Sequence, residues 1–129
     1  MLLRFKYHIL VAEDDELSAH VARTILERLG CVVDIAIDGA EAVEYFRNRI
    51  YSLVLMDWQM PVMDGFEATA RIRAMPLGQT TPIIGTTAAR ERADCMKAGM
   101  NDVVSKPFEK EKLMFILEKW AGKPSSKDK

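Results

Sequence analysis

Apolar positions fall into two kinds of run along the chain. Short unbroken stretches at residues 7–12 (YHILVA), 53–56 (LVLM) and 83–87 (IIGTT) have the length of strands buried on both faces. Longer segments carry apolar residues at helical spacing. Leu17, Val21, Ile25 and Leu29, widened by Ala22 and Leu26, predict an amphipathic helix that Gly30 closes. Residues 31–37 predict a strand at or near a sheet edge, with Val33, Ile35 and Ile37 on one face and Asp34 interrupting the other. Asp38 and Glu41 open a second helix that continues through Val43, Phe46 and Ile50, and Asp64 and Glu67 open a third that closes at Met75-Pro76. Residues 77–82 form a turn-rich loop, 88–98 a fourth helix capped by Gly99, and 103–105 a short fifth strand. Leu113, Phe115, Ile116, Leu117 and Trp120 supply the core face of a last helix. Strand and helix alternate five times, which predicts an α/β fold: a doubly wound, five-stranded parallel sheet with helices on both faces.

With 129 residues the chain has room for one domain, read here as residues 1–121 with a polar tail at 122–129. Eighteen Lys and Arg against nineteen Asp and Glu leave a net charge of −1, so bulk electrostatics gives no ground for direct nucleic-acid binding or attraction to an anionic membrane. The apolar runs are too short to span a bilayer, and Arg4 and Lys6 interrupt the amino-terminal one too early for a signal peptide. A cytoplasmic setting is expected. Cys31 and Cys95 lack metal-ligand spacing and read as core residues rather than a disulfide.

The candidate chemistry gathers at the carboxyl ends of the predicted strands. Glu13 and Asp14 come after the first, Asp57 ends the third, Thr87 ends the fourth and Lys106 comes after the fifth. In an open parallel sheet these positions share one edge, the usual ligand crevice. Asp15 and Glu16 are read separately, as negative charge dressing a helix start. Carboxylates gathered without a cation repel one another, which argues for a hard divalent ion on oxygen ligands, with Mg²⁺ fitting best. Metal, ammonium and hydroxyl together can position and neutralise a phosphoryl group, with Asp57 as the nucleophile that forms an acyl phosphate. His8 and His20 raise the question of phosphotransfer through histidine, but His20 lies beside the Leu17 and Val21 stripe of the first helix without the helical bundle that such a donor ordinarily needs, so it is read as structural.

Taken together, ILVAEDDE, MDWQMPVMDGFEA, Thr87-Ala88 and AGMNDVVSKPF resemble the receiver domain of two-component response regulators over roughly residues 7–120, and the MDWQMPVMDGFEAT version is similar to receivers within hybrid histidine kinases. The resemblance implies strand order 2-1-3-4-5, the flavodoxin-like arrangement for which a receiver is itself a standard illustration. It implies Asp57 as phosphoacceptor, Asp14 as a direct metal ligand, Glu13 acting on the metal through water, and the Gln59 backbone carbonyl as a further ligand. It also implies that Thr87 and Lys106 bind phosphoryl oxygens and that the bond before Pro107 is cis. The partner implied is a histidine kinase or a histidine phosphotransfer protein, with other domains of a parent hybrid kinase in prospect. Such a domain promotes its own Mg²⁺-dependent phosphorylation and slow dephosphorylation without acting as an enzyme on a separate substrate.

Two rivals share the topology. A haloacid-dehalogenase-type phosphatase wants a second aspartate two residues after the nucleophile, where this chain has Gln59. A flavin carrier wants a Ser/Thr/Gly-rich phosphate loop after the first strand, where this chain has four acids. The sequence also departs from its resemblance at Val103, where receivers usually carry a Tyr or Phe that swings inward on activation. A β-branched aliphatic offers no ring to swing, so little change is expected on that surface.

Overall fold

The computed structural model describes residues 6–87 and 92–121, apart from the Thr87 side chain. Strands β1 (His8–Ala12), β2 (Val32–Ala36), β3 (Leu53–Asp57), β4 (Ile83–Thr87) and β5 (Asp102–Ser105) form one parallel sheet in the order β2-β1-β3-β4-β5. That is the predicted architecture and strand order. Around the sheet lie α1 (Glu16–Arg28), α2 (Gly39–Asn48), α3 (Gly65–Arg73), α4 (Arg92–Lys97) and α5 (Lys110–Ile116), the last extended by a π-helical turn, Leu117–Ala121. Of the predicted fourth helix, residues 88–91 lie outside the described region, as does the predicted tail at 122–129. No helix among the described residues is long and apolar enough to cross a membrane.

The period-two alternation of the strands sorts their side chains into two layers. Ile9, Val11, Leu53, Leu55, Ile84 and Val104 pack with Ala22 and Leu26 of α1 and Leu113 and Ile116 of α5. Leu10, Ala12, Val54, Met56 and Ile83 pack with Val43 and Phe46 of α2, Ala68 and Ile72 of α3 and Cys95 of α4. Because both faces are covered, every residue of β3 is buried, Asp57 included. Cys31 and Cys95 are both buried and neither forms a disulfide.

Several apolar residues assigned to the core stand outside it. Leu17, Ile37, Ile50 and Phe115 are exposed. In α1 the buried residues are Ala19, Ala22 and Leu26 rather than a stripe of every fourth position. Four residues of α-helix overshoot a full turn by about 40°, so such a stripe winds off the contact line, and Leu17 at its start faces water. Ile37 lies beyond the end of β2, and Ile50 lies beyond the end of α2.

The helices that follow the first three strands are each capped by an aspartate accepting from a backbone amide: Asp15 from Ser18 (2.8 Å), Asp38 from Glu41 (2.8 Å) and Asp64 from Glu67 (2.9 Å). Asp15 is thereby tied up as a cap, as expected. Gly30 and Gly99 adopt positive φ of 103° and 106° where α1 and α4 end.

Candidate functional site

Parallel strands all end at the same side of the sheet, so the residues after them converge. The Glu13 amide donates to the Ala36 carbonyl (2.9 Å), continuing the pairing of β1 with β2 by one step and holding Glu13 at the sheet edge. Its carboxylate is buried, while that of Asp14 is exposed. Asp57 closes β3 with 6% exposure. Oxygen atoms of Glu13, Asp14 and Asp57 lie within 4.8 Å of one another.

Lys106, delivered by the turn after β5, reaches into this cluster. Its Nζ stands 2.8 Å from Glu13 Oε1 and 3.3 Å from Asp57 Oδ2. On the other side of the Asp57 carboxylate, the Gln59 amide donates to Oδ1 (3.3 Å). The Asp15 amide donates to Glu13 Oε2 (3.2 Å). The Lys106–Pro107 bond is cis.

The charges respond to this confinement. Burial pushes the Glu13 carboxyl up to about 7; the Lys106 hydrogen bond works against that rise and the Asp57 charge adds to it. Burial alone would lower Lys106, but hydrogen bonds and attraction to Glu13 and Asp57 together outweigh it and raise the ammonium's pKa. Three carboxylates thus face one cation, and the donor set is oxygen throughout with one exposed member. A hard divalent ion that keeps part of its water shell fits these residues.

Of the residues expected here, Glu13, Asp14, Asp57 and Lys106 do meet. Gln59 contributes its amide, with its side chain exposed. Thr87 ends β4 in register with Ser105, and its side chain lies outside the described residues. His8 is held by Asp34 (2.9 Å), and His20 is exposed on α1. Trp58 stacks on Phe66 with ring centroids 5.3 Å apart, which holds the loop after Asp57 against α3. Lys112, whose ammonium bonds the turn that carries Lys106, has no local sequence signal to single it out.

Residues 9–118 match the response regulator receiver domain family. The chain belongs to that family. It is 46% identical over 126 residues to the two-component response regulator ORR41 of Oryza sativa subsp. japonica, covering 92% of this chain and 98% of the rice protein. It is 39% identical to a segment of the hybrid signal transduction protein dokA of Dictyostelium discoideum, covering 89% of this chain and 7% of that protein. Among solved structures it is similar to the receiver domain of the sensor histidine kinase PA1611 of Pseudomonas aeruginosa PAO1, at 38% identity and a TM-score of 0.85, covering 91% of this chain and 98% of that one. That crystal structure has a magnesium ion coordinated in its active-site cleft. The present chain is therefore a receiver domain of two-component signalling.

Proposed function

We propose that Asp57 is the phosphoacceptor of this receiver. One Asp57 oxygen attacks the phosphorus of a phosphohistidine on a histidine kinase or phosphotransfer protein. The new O–P bond forms as the N–P bond breaks, and the imidazole leaves with a proton. Asp14, Asp57 and the Gln59 backbone carbonyl would hold Mg²⁺, with Glu13 acting through a water. When bound, the ion would neutralise charge on the transferring group. Lys106 pairs with a phosphoryl oxygen, and the Thr87 hydroxyl donates to another. Water later attacks the acyl phosphate and returns Asp57 to its free state, so the domain regulates or relays rather than turning over a separate substrate. Whether alone, as its match to the rice regulator favours, or within a hybrid kinase, as its match to dokA favours, the chemistry is the same.

The observation that carries this reading is the Lys106 ammonium lying between Glu13 and Asp57, beside a carboxylate cluster open on its Asp14 side. It supplies fixed positive charge where a transferred phosphoryl group would bring negative charge. Incubation with acetyl phosphate and then intact mass measurement tests it. A gain of one phosphate with Mg²⁺, absent in EDTA, supports the reading. Steady turnover of generic phosphate esters, or copurifying flavin, would replace it with one of the two rival functions.

A further inference from the structure

Lys106 depends on more than its own strand. The turn that carries it is gripped from outside by Lys112, the third residue of α5. Lys112 Nζ donates to the Ser105 hydroxyl (3.1 Å), the Ser105 carbonyl (3.4 Å) and the Pro107 carbonyl (3.2 Å). An ammonium has three protons to donate, and here each has an oxygen. The acceptors belong to the residues immediately before and after Lys106. Glu109 Oε1 lies farther off, at 4.0 Å.

A lysine in the first turn of a helix runs against the helix dipole, which favours negative charge there. A residue that breaks a local rule calls for a compensating gain, and converging two carbonyls and a hydroxyl supplies one. We propose that Lys112 is a positioning residue for Lys106: it fixes the backbone on both sides of the site lysine and so aims its ammonium at the Asp57 carboxylate. The inference rests on the role of Lys106 in the proposed function. Its logic is that of a lever. Lys106 Nζ ends a four-carbon stem, so a small tilt of the turn is magnified at the ammonium. Buried Phe108 and the pairing of β5 with β4 anchor the turn independently. The fold therefore survives loss of Lys112 while the aim of Lys106 does not.

A double-mutant cycle tests this on the intact domain, reading the rate of phosphate gain from saturating acetyl phosphate with Mg²⁺. Lys112→Met should slow phosphorylation on the order of tenfold or more, as misplacement of a reacting partner does. Lys106→Met should slow it further, and adding Lys112→Met to Lys106→Met should cost nothing more, because the two act through one ammonium. Lys112→Cys alkylated with 2-bromoethylamine regains an ammonium at nearly the original reach. Cys31 and Cys95 are buried, so position 112 is the accessible thiol. Alkylation should restore most of the rate. A wild-type rate in Lys112→Met, losses that multiply in the double variant, or alkylation without recovery would overturn the inference. Wild-type protein that takes up no phosphate, or Lys106→Met that takes it up unimpaired, would instead overturn the proposed function on which it rests.

Discussion

The Gly65 backbone lies against the Asp57 carbonyl oxygen with no room for a β-carbon between them. The same glycine donates its amide to the Trp58 carbonyl (2.9 Å). The start of α3 is thus pressed onto the end of β3, and this contact sets how the loop leaves Asp57.

Gly65→Ala should therefore destabilise. At most helix positions alanine improves on glycine. Here the added methyl meets backbone on a strand that cannot retreat, and a loss of roughly 1–3 kcal/mol is expected from overpacking. Urea unfolding measures it. A variant as stable as the parent would show that the contact yields.

Val62, in the loop after Asp57, has φ of 71° and is exposed. A β-branched residue is poorly suited to the left-handed region, whereas asparagine visits it readily. Val62→Asn should raise stability by about 1 kcal/mol, since relief of the backbone comes with little loss of packing. Unfolding midpoints check the sign, and a fall would mean that the valine side chain holds the loop by contacts of its own.

Asp102 opens β5 with its side chain nearly buried, bonded to Arg92 (2.7 Å), Trp120 (2.9 Å) and Lys119 (3.4 Å). Burial alone would raise its carboxyl, but these donors and the Val103 amide outweigh it and pull the pKa down to about 2. A group whose folded pKa lies below its unfolded value stabilises above the unfolded pKa and loses that contribution as pH falls through the folded one. The contribution is about 2 kcal/mol near neutral pH and should fade between about pH 4 and pH 2. Asp102→Asn should be less stable than wild type near neutrality, with the gap narrowing in that acid window. A gap constant with pH would contradict the assignment.

Asp14→Asn tests the metal assignment apart from phosphorylation. Removing an exposed carboxylate relieves repulsion within the cluster, so thermal stability without metal should hold or rise while Mg²⁺ affinity collapses. Trp58 stands beside the site and reports binding through fluorescence quenching. Equal quenching by Mg²⁺ in variant and wild type would remove Asp14 from the ligand set.

Much of this architecture was legible in the sequence because its signals are local. Unbroken strand runs, aspartate caps and acids directly after strands each lie within a few residues, and a parallel sheet brings strand ends together automatically. The cluster of Glu13, Asp14, Asp57 and Lys106 results from that topology. Long-range contacts left no such trace. Arg73 bonds the carbonyls of Gly78, Thr81 and Gly99 and the side chain of Asn101, partners 5 to 28 residues away, and reads in the sequence as an ordinary surface cation. Asp102 and Lys112 were hidden in the same way. The exposed Phe115 shows the opposite failure, since its neighbours Leu113, Ile116 and Leu117 already fill the face that α5 and the turn after it present to the sheet.

The central claim concerns one carboxylate, and reduction of the phosphorylated protein with borohydride locates it directly. An acyl phosphate is reduced to the alcohol, so an aspartate that carried phosphate becomes homoserine. Peptide mapping after treatment with acetyl phosphate and Mg²⁺ should find homoserine at position 57 alone, and none in protein treated in EDTA. Homoserine at Asp14 with Asp57 untouched, or phosphate retained on His8 or His20, would contradict the account.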